Sequence, residues 1–198
     1  MEYNVYAPPA AAVAELAPAA TALDEFYVVG KAKFVALFVA TLGMYQVYWA
    51  YRHWRHYRRV HKEKMSPVVR AIFQIFFTHA LTRSIDASLK ASNRPAQWSP
   101  SVLASVFVVV QLVTAVLDRL AGNSIGSPTT DVLGLAMLLP MGLCMWAVQA
   151  RANLACGDAD GERNRRLTWA NGLWIAAGGC LWLLALVGLL MSAGIIAE

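Results

Sequence analysis

The stretch Val68-Val-Arg-Ala-Ile-Phe-Gln-Ile-Phe-Phe-Thr-His-Ala-Leu-Thr82 decides how this chain is read, because it sets the number of membrane crossings. It is largely apolar, yet Arg70, Gln74 and His79 lie inside it, and Arg83 and Asp86 follow at once. Four other runs are more uniformly apolar: Phe34–Ala50, Val102–Leu117, Val132–Ala150 and Leu173–Ala197. A helix needs about 20 mostly apolar residues to cross the hydrocarbon, with a range near 17–25. The question is whether 68–82 makes a fifth crossing.

Charge answers it. If 68–82 stays on one side, the ten Lys/Arg from Arg52 to Arg94 join the four from Arg151 to Arg166, which is fourteen of the 17. Lys31, Lys33 and Arg119 are left on the other side. If 68–82 crosses, the split becomes eight against nine and the asymmetry vanishes. Lys and Arg accumulate on the cytoplasmic side of short loops. Four crossings is therefore the expectation, with both termini on the periplasmic side.

Composition agrees with a membrane chain. The 198 residues are 58% hydrophobic and 15% charged, against about 45–50% and about 25% in soluble domains. The net charge of +5 sits beside apolar runs, where it meets anionic headgroups, so nucleic acid is not an expected partner. Cys144, Cys156 and Cys180 form no CxxC pair, and two lie inside apolar runs, which argues against a disulfide framework or thiolate metal site. The N-terminus has no basic start followed by a short apolar core. Residues 1–26 read as a flexible, Ala/Pro-rich periplasmic tail.

From Val68 to Lys90 a helical wheel groups His79, Arg83, Asp86 and Lys90 in one stripe, with Phe73, Phe77, Ala80 and Ala87 beside it. Ile72 and Ile75 fall in or near the ionic stripe. This predicts an interfacial amphipathic helix over 67–90, with Ser66 as cap and Pro67 at its first position. His79 lies within the apolar stretch, and ionisable groups at membrane depth are candidate functional residues. Asp86, seven residues on, is the expected partner.

The segment from Trp49 to Lys64 carries Trp49, Trp54 and a dense set of cations. Aromatic residues at a span end and the cations after it anchor a chain at headgroup level, so Trp49, Arg52, Trp54, Arg55, Arg58 and Arg59 are the expected lipid anchors. His53 and His56, at i and i+3, have no acidic or thiol partner in sequence to complete a metal or haem site. The loop from Asn153 to Asn164 contains Asp158-Ala-Asp160-Gly161, which echoes a calcium loop. Alignment on Gly161 puts Cys156 and Leu167 where an EF-hand needs oxygen ligands. A tight turn between spans accounts for it better, and Asp158, Asp160 and Asn164 stay as candidate contact residues alongside Arg70, His79, Arg83 and Asp86.

Polar residues in and beside the spans are few (Thr41, Gln46, Gln111, Gln149 and Asn171), and Pro140 is the only proline break. The run from Gly178-Gly179 to Gly188 suits close helix packing. Phosphate-loop, serine-hydrolase and HExxH motifs are missing, so catalysis is not expected.

Three groups of residues carry a resemblance. They are Phe26-Tyr-Val-Val with Lys33-Phe and Thr41-Leu-Gly-Met-Tyr-Gln-Val-Tyr-Trp49, Tyr51 and Trp54; Pro67 with Arg70-Ala-Ile-Phe and Phe77-Thr-His79; and Asn153, Ala155-Cys-Gly-Asp158, Asp160-Gly, Asn164, Ala170-Asn171 and Trp174. Together they resemble a family of uncharacterised bacterial inner-membrane proteins, which implies a helical multi-span fold in that membrane and no particular activity. The expectation is an all-α membrane protein with four transmembrane helices, about 34–50, 101–118, 132–150 and 170–197, plus one cytoplasmic interfacial helix. Residues 27–198 form the single membrane domain. Its expected role is non-enzymatic and needs no cofactor or metal. It binds membrane lipids and either a membrane-active protein partner or itself, in the sharpest version as an immunity protein against a toxin that attacks the inner membrane. The alternative is a small-solute or proton-coupled transporter with His79 and Asp86 as the relay.

Overall fold

The computed structural model describes residues 24–94 and 96–196, and among these there is helix and no strand. The helices are α1 (Lys31–Ala40), α2 (Tyr45–His61), α3 (Pro67–Ile72), α4 (Gln74–Ala91), α5 (Pro100–Ala121), α6 (Thr129–Ala136), α7 (Leu138–Ala155) and α8 (Trp169–Ser192), with a 3₁₀ turn at Glu162–Asn164. The expected tail falls mostly on residues 1–23, outside the described residues. Of its remainder, Phe26 is packed in the core at 1% exposure.

Among the described residues, three helical segments are long and apolar enough to cross a membrane: Pro100–Ala121, Thr129–Ala155 and Trp169–Ser192. The second is α6 and α7 run together. They part at Met137, because Pro140 has no N–H to donate to the Ala136 carbonyl and its ring crowds that carbonyl. Outward-facing Leu, Val and Trp side chains such as Val109, Leu112, Leu139, Leu183 and Leu184 remain exposed, as lipid-facing helices require.

The run Phe34–Ala50, expected as the first span, is not one helix. It breaks at Thr41–Met44, where Leu42 and Gly43 take φ of 49° and 81°. The Gly43 N–H caps back onto the Phe38 carbonyl at 2.9 Å, and the Thr41 hydroxyl accepts the Tyr45 N–H at 3.0 Å. Contacts on either side give the direction of each half. Gly30 lies against Asn164, Phe38 against Gly142 and Gly43 against Leu138, so α1 runs antiparallel to α7. Trp49 and His53 then meet Gln149, while His56 and Arg59 reach Asp24, so α2 runs back beside α7. The pair is a helical hairpin folded against α7. At 1.5 Å per residue its tip at Leu138 lies about 25 Å from Ala155, on a segment about 40 Å long.

The stretch 67–90, expected as one surface helix, is also divided, at Phe73. Ser66 caps α3 by accepting the Val69 N–H at 3.4 Å, and Pro67 opens the helix. Arg58 donates to the Met65 carbonyl and the Arg70 guanidinium stacks on Trp54 at 4.3 Å, so α3 lies antiparallel to α2. Trp98 donates to Asp86 and His79 bonds Ser105, so α4 is antiparallel to α5 and upright within the bundle. Its buried face is Gln74, Thr78, Leu81, Thr82, Ile85 and Leu89, while Ile72, Phe73 and Phe76 are exposed at 62%, 52% and 76%. The ionic stripe is split: Arg83 and Lys90 are exposed, whereas His79 and Asp86 lie against Ser105 and Trp98 on the α5 side.

The hairpin reverses one expectation about sidedness. Asp24 lies at the same end as the 156–166 turn, whereas α8 carries the chain to the opposite end at Ser192. Lys31 and Lys33 move with Asp24, so sixteen of the 17 Lys/Arg share one end and Arg119 alone marks the other.

Candidate functional site

The hairpin leaves a groove of about 920 Å³ between α1, α2, α3 and the start of α8. One end is polar, lined by Lys33, Arg52, His56, Arg163 and Asn164. The other runs inward over Leu37, Met44, Val47, Ile72 and Trp174. A chain of local bonds positions each polar group. The Asn164 amide donates to the Val28 carbonyl at 2.8 Å and to the Tyr27 hydroxyl at 3.0 Å. Its oxygen accepts from Lys33 Nζ at 2.8 Å, and the Arg166 carbonyl accepts a second Lys33 proton at 2.9 Å. Lys33 is 5% exposed, so a cation is sunk into the wall with neutral acceptors.

Arg52 donates to the Tyr48 hydroxyl at 2.6 Å and lies over the Tyr27 ring at 4.7 Å. Its Nε is buried with no hydrogen-bond partner among the described residues. His56 Nδ1 donates to the Asp24 carbonyl at 3.1 Å. Burial, only partly offset by that bond, and the nearby Arg52 and Arg59 cations hold His56 below its ordinary pKa, so it is neutral near pH 7. The Asp24 carboxylate is taken up by Arg59 at 3.1 Å and Arg163 at 3.8 Å.

Behind the groove, two amides one turn apart on α7 fasten the extended segment 26–30. Gln149 donates to the Tyr27 carbonyl at 2.8 Å and accepts from Trp49 at 2.5 Å, with His53 at 3.1 Å. Asn153 accepts the Val29 N–H at 3.2 Å and donates to the Val29 carbonyl at 2.9 Å. All three side chains, His53, Gln149 and Asn153, are fully buried. Buried backbone with no strand partner must find such acceptors and donors.

The expected contact residues do not gather in one place. Asn164 enters the groove, as does Arg52, one of the expected lipid anchors. Arg70 ties α3 to Trp54 and Phe77. His79 meets Ser105, and Asp86 pairs with Lys90 at 2.6 Å and with Trp98, so the two do not pair with each other. Arg83 and Asp160 are exposed. Asp158 caps the 3₁₀ turn, accepting the Glu162 and Arg163 N–H groups at 2.9 and 3.0 Å. Burial raises its pKa, but those two bonds and the Arg163 guanidinium outweigh that and hold it low. Of the expected lipid anchors, Arg55, Arg58 and Arg59 are exposed, while Trp49 and Trp54 are core residues at 3% and 1%.

Lys33, Tyr27, His56, Gln149 and Asn153 were not among the expected contact residues. The i, i+4 amide pair in an otherwise apolar helix was the available signal for the last two. Glu25 accepts from Ser88 and contacts His61 at 2.7 Å, but hydroxyl and imidazole share the carboxylate rather than meeting, so no nucleophile–base pair forms. Among the described residues no three His, Cys, Asp or Glu side chains are placed to share a metal ion. No protein-family model, no curated protein and no solved structure matches this chain.

Proposed function

We propose that this is a non-enzymatic, multi-pass inner-membrane protein that works by holding a partner inside the bilayer, in the lateral groove. The observation that carries this reading is the groove, one end cationic and the other opening through Val47, Ile72 and Trp174, which are 42%, 62% and 60% exposed. Exposed apolar patches rimmed by polar residues mark interaction surfaces. The orientation proposed with it has three crossings, the basic end in the cytoplasm and α8 ending in the periplasm. Sixteen of the 17 Lys/Arg at one end support it.

A photo-crosslinking residue at Val47 or Ile72, activated in intact cells, tests the reading. Adducts at these positions, missing at Leu112 on the far side of α5, are the expected result, and their complete absence refutes it. A proteinaceous adduct from a membrane-active toxin, with deletion sensitising cells to that toxin, is the immunity version. Reporter fusions after Ser92, Asn123, Asp160 and Ser192 test the orientation: cytoplasmic, periplasmic, cytoplasmic, periplasmic. The transport alternative needs His79 and Asp86 as a relay, and their separate partners give it no support.

A further inference from the structure

We propose that the groove's occupant is an anionic phospholipid drawn from the basic-side leaflet, its phosphate between Lys33 and Arg52 and an acyl chain along Leu37, Val47 and Ile72. This rests on the reading of the groove as a binding site within the bilayer and names its ligand class.

The first argument is uncompensated charge. Among the described residues neither Lys33 nor Arg52 forms an ion pair with a carboxylate. A cation removed from water without a counter-charge is costly, and at membrane depth more so. Lys33 has three donors and uses two on neutral oxygens. Arg52 has five, and its buried Nε has no acceptor. Both residues line the same groove. Arg163 adds a third cation there, against Asp24 as the single carboxylate. A phosphate supplies the missing charge and several acceptor oxygens, and the guanidinium fork suits its geometry.

The second argument is the direction of the walls. From Arg52 to Met44 the groove descends α2 by eight residues, about 12 Å, toward the hairpin tip and away from the basic end. The descending wall is apolar and open sideways to lipid at Val47 and Ile72. A free phosphate would leave that wall unused. A lipid lying in the leaflet has its charge and its chain in the matching order. Arg52 also stacks on Tyr27 and Tyr48, which fixes the guanidinium plane before any ligand arrives.

The experiment is lipid retention by the intact protein. The purified chain is reconstituted in nanodiscs of equal phosphatidylglycerol and phosphatidylcholine, released, and examined by native mass spectrometry. Retained phosphatidylglycerol well above phosphatidylcholine is expected. Arg52→Gln should lower the retained phosphatidylglycerol by about tenfold, the loss of one charge-assisted contact. Ile72→Trp, at a 62% exposed position, narrows the mouth without touching the core and should lower it too, so a folding defect in the first variant leaves the test intact. Lys64→Gln, on the exposed turn after α2, should change nothing. Equal retention of both lipids, or retention unaltered in both groove variants, overturns the inference. So does displacement of the bound species by inorganic phosphate. Crosslinks from Val47 to a protein and none to lipid would also sink it, while leaving the broader reading of a bilayer binding site standing.

Discussion

Gly178→Ala is the sharpest probe of the α1–α2 hairpin. On α8, Gly178 sits directly against the end of α1. A methyl group there would fall onto the Ala40 carbonyl oxygen, 2.6 Å from its carbon and 3.2 Å from the Thr41 nitrogen. These are backbone atoms at the hairpin tip, so no side chain can rotate away. Either α1 shifts along α8, breaking the Trp182 Nε1–H bond to the Val39 carbonyl at 2.8 Å, or the clash remains. Overpacking a filled site costs about 1–3 kcal/mol, and the rigid target puts this one near the top, about 3 kcal/mol. At about 2–4 °C per kcal/mol for a chain of this size, the melting temperature should drop by about 6–12 °C. Gly179, the next residue, has nothing within 4 Å, so Gly179→Ala is the matched control. It should stay level or rise slightly, since Ala favours helix by up to about 1 kcal/mol. Thermal unfolding in mild detergent followed by size-exclusion chromatography measures both. Equal stability of the two variants would mean that α1 does not rest on α8, and that the run Phe34–Ala50 has another course.

Gln149→Leu keeps the volume of a buried side chain but strands the Trp49 N–H and the Tyr27 carbonyl. Each buried orphan costs about 1–3 kcal/mol, so a loss of about 3 kcal/mol is expected in the same assay, and a neutral result would show that segment 26–30 is not fastened to α7. Asp158 has a folded pKa below that of the unfolded chain, so its contribution is complete above about pH 4. That contribution fades as pH falls through the folded value. The melting difference between wild type and Asp158→Asn should therefore be largest at neutral pH and close as pH drops below about 4, and a gap that widens with acid would refute the cap. Cys156 is fully buried at the end of α7, and burial pushes its thiol up to about 11. With Cys144 and Cys180 replaced by alanine, a membrane-permeant maleimide should leave Cys156 unlabelled at pH 7.5 until detergent unfolds the chain; rapid native labelling would contradict its packing against Phe26.

Several features were open to sequence reading because they are local. Ser66-Pro67 starts a helix, since a hydroxyl acceptor and a ring with fixed φ suffice. Pro140 disturbs a helix wherever it sits. The clustering of Lys and Arg follows the chain's own spacing, and in the fold sixteen of the 17 gather at one end. The break at Phe73 is less local, because α3 packs against α2 while α4 packs along α5.

The candidate site was not open in the same way. Lys33 and Asn164 are 131 residues apart, and nothing near either one shows that they meet.

What the sequence determined by itself was a set of long apolar runs suited to membrane-spanning helices, and a concentration of Lys and Arg between them. What the tertiary structure decided was the course of Phe34–Ala50. Hydropathy counts apolar residues but carries no direction, so a crossing helix and a hairpin that turns back have the same composition. The choice falls to contacts between distant segments. Gly178 gives α1 a place to end, Gln149 draws α2 back, and Leu42-Gly43 adopts the left-handed backbone that joins them.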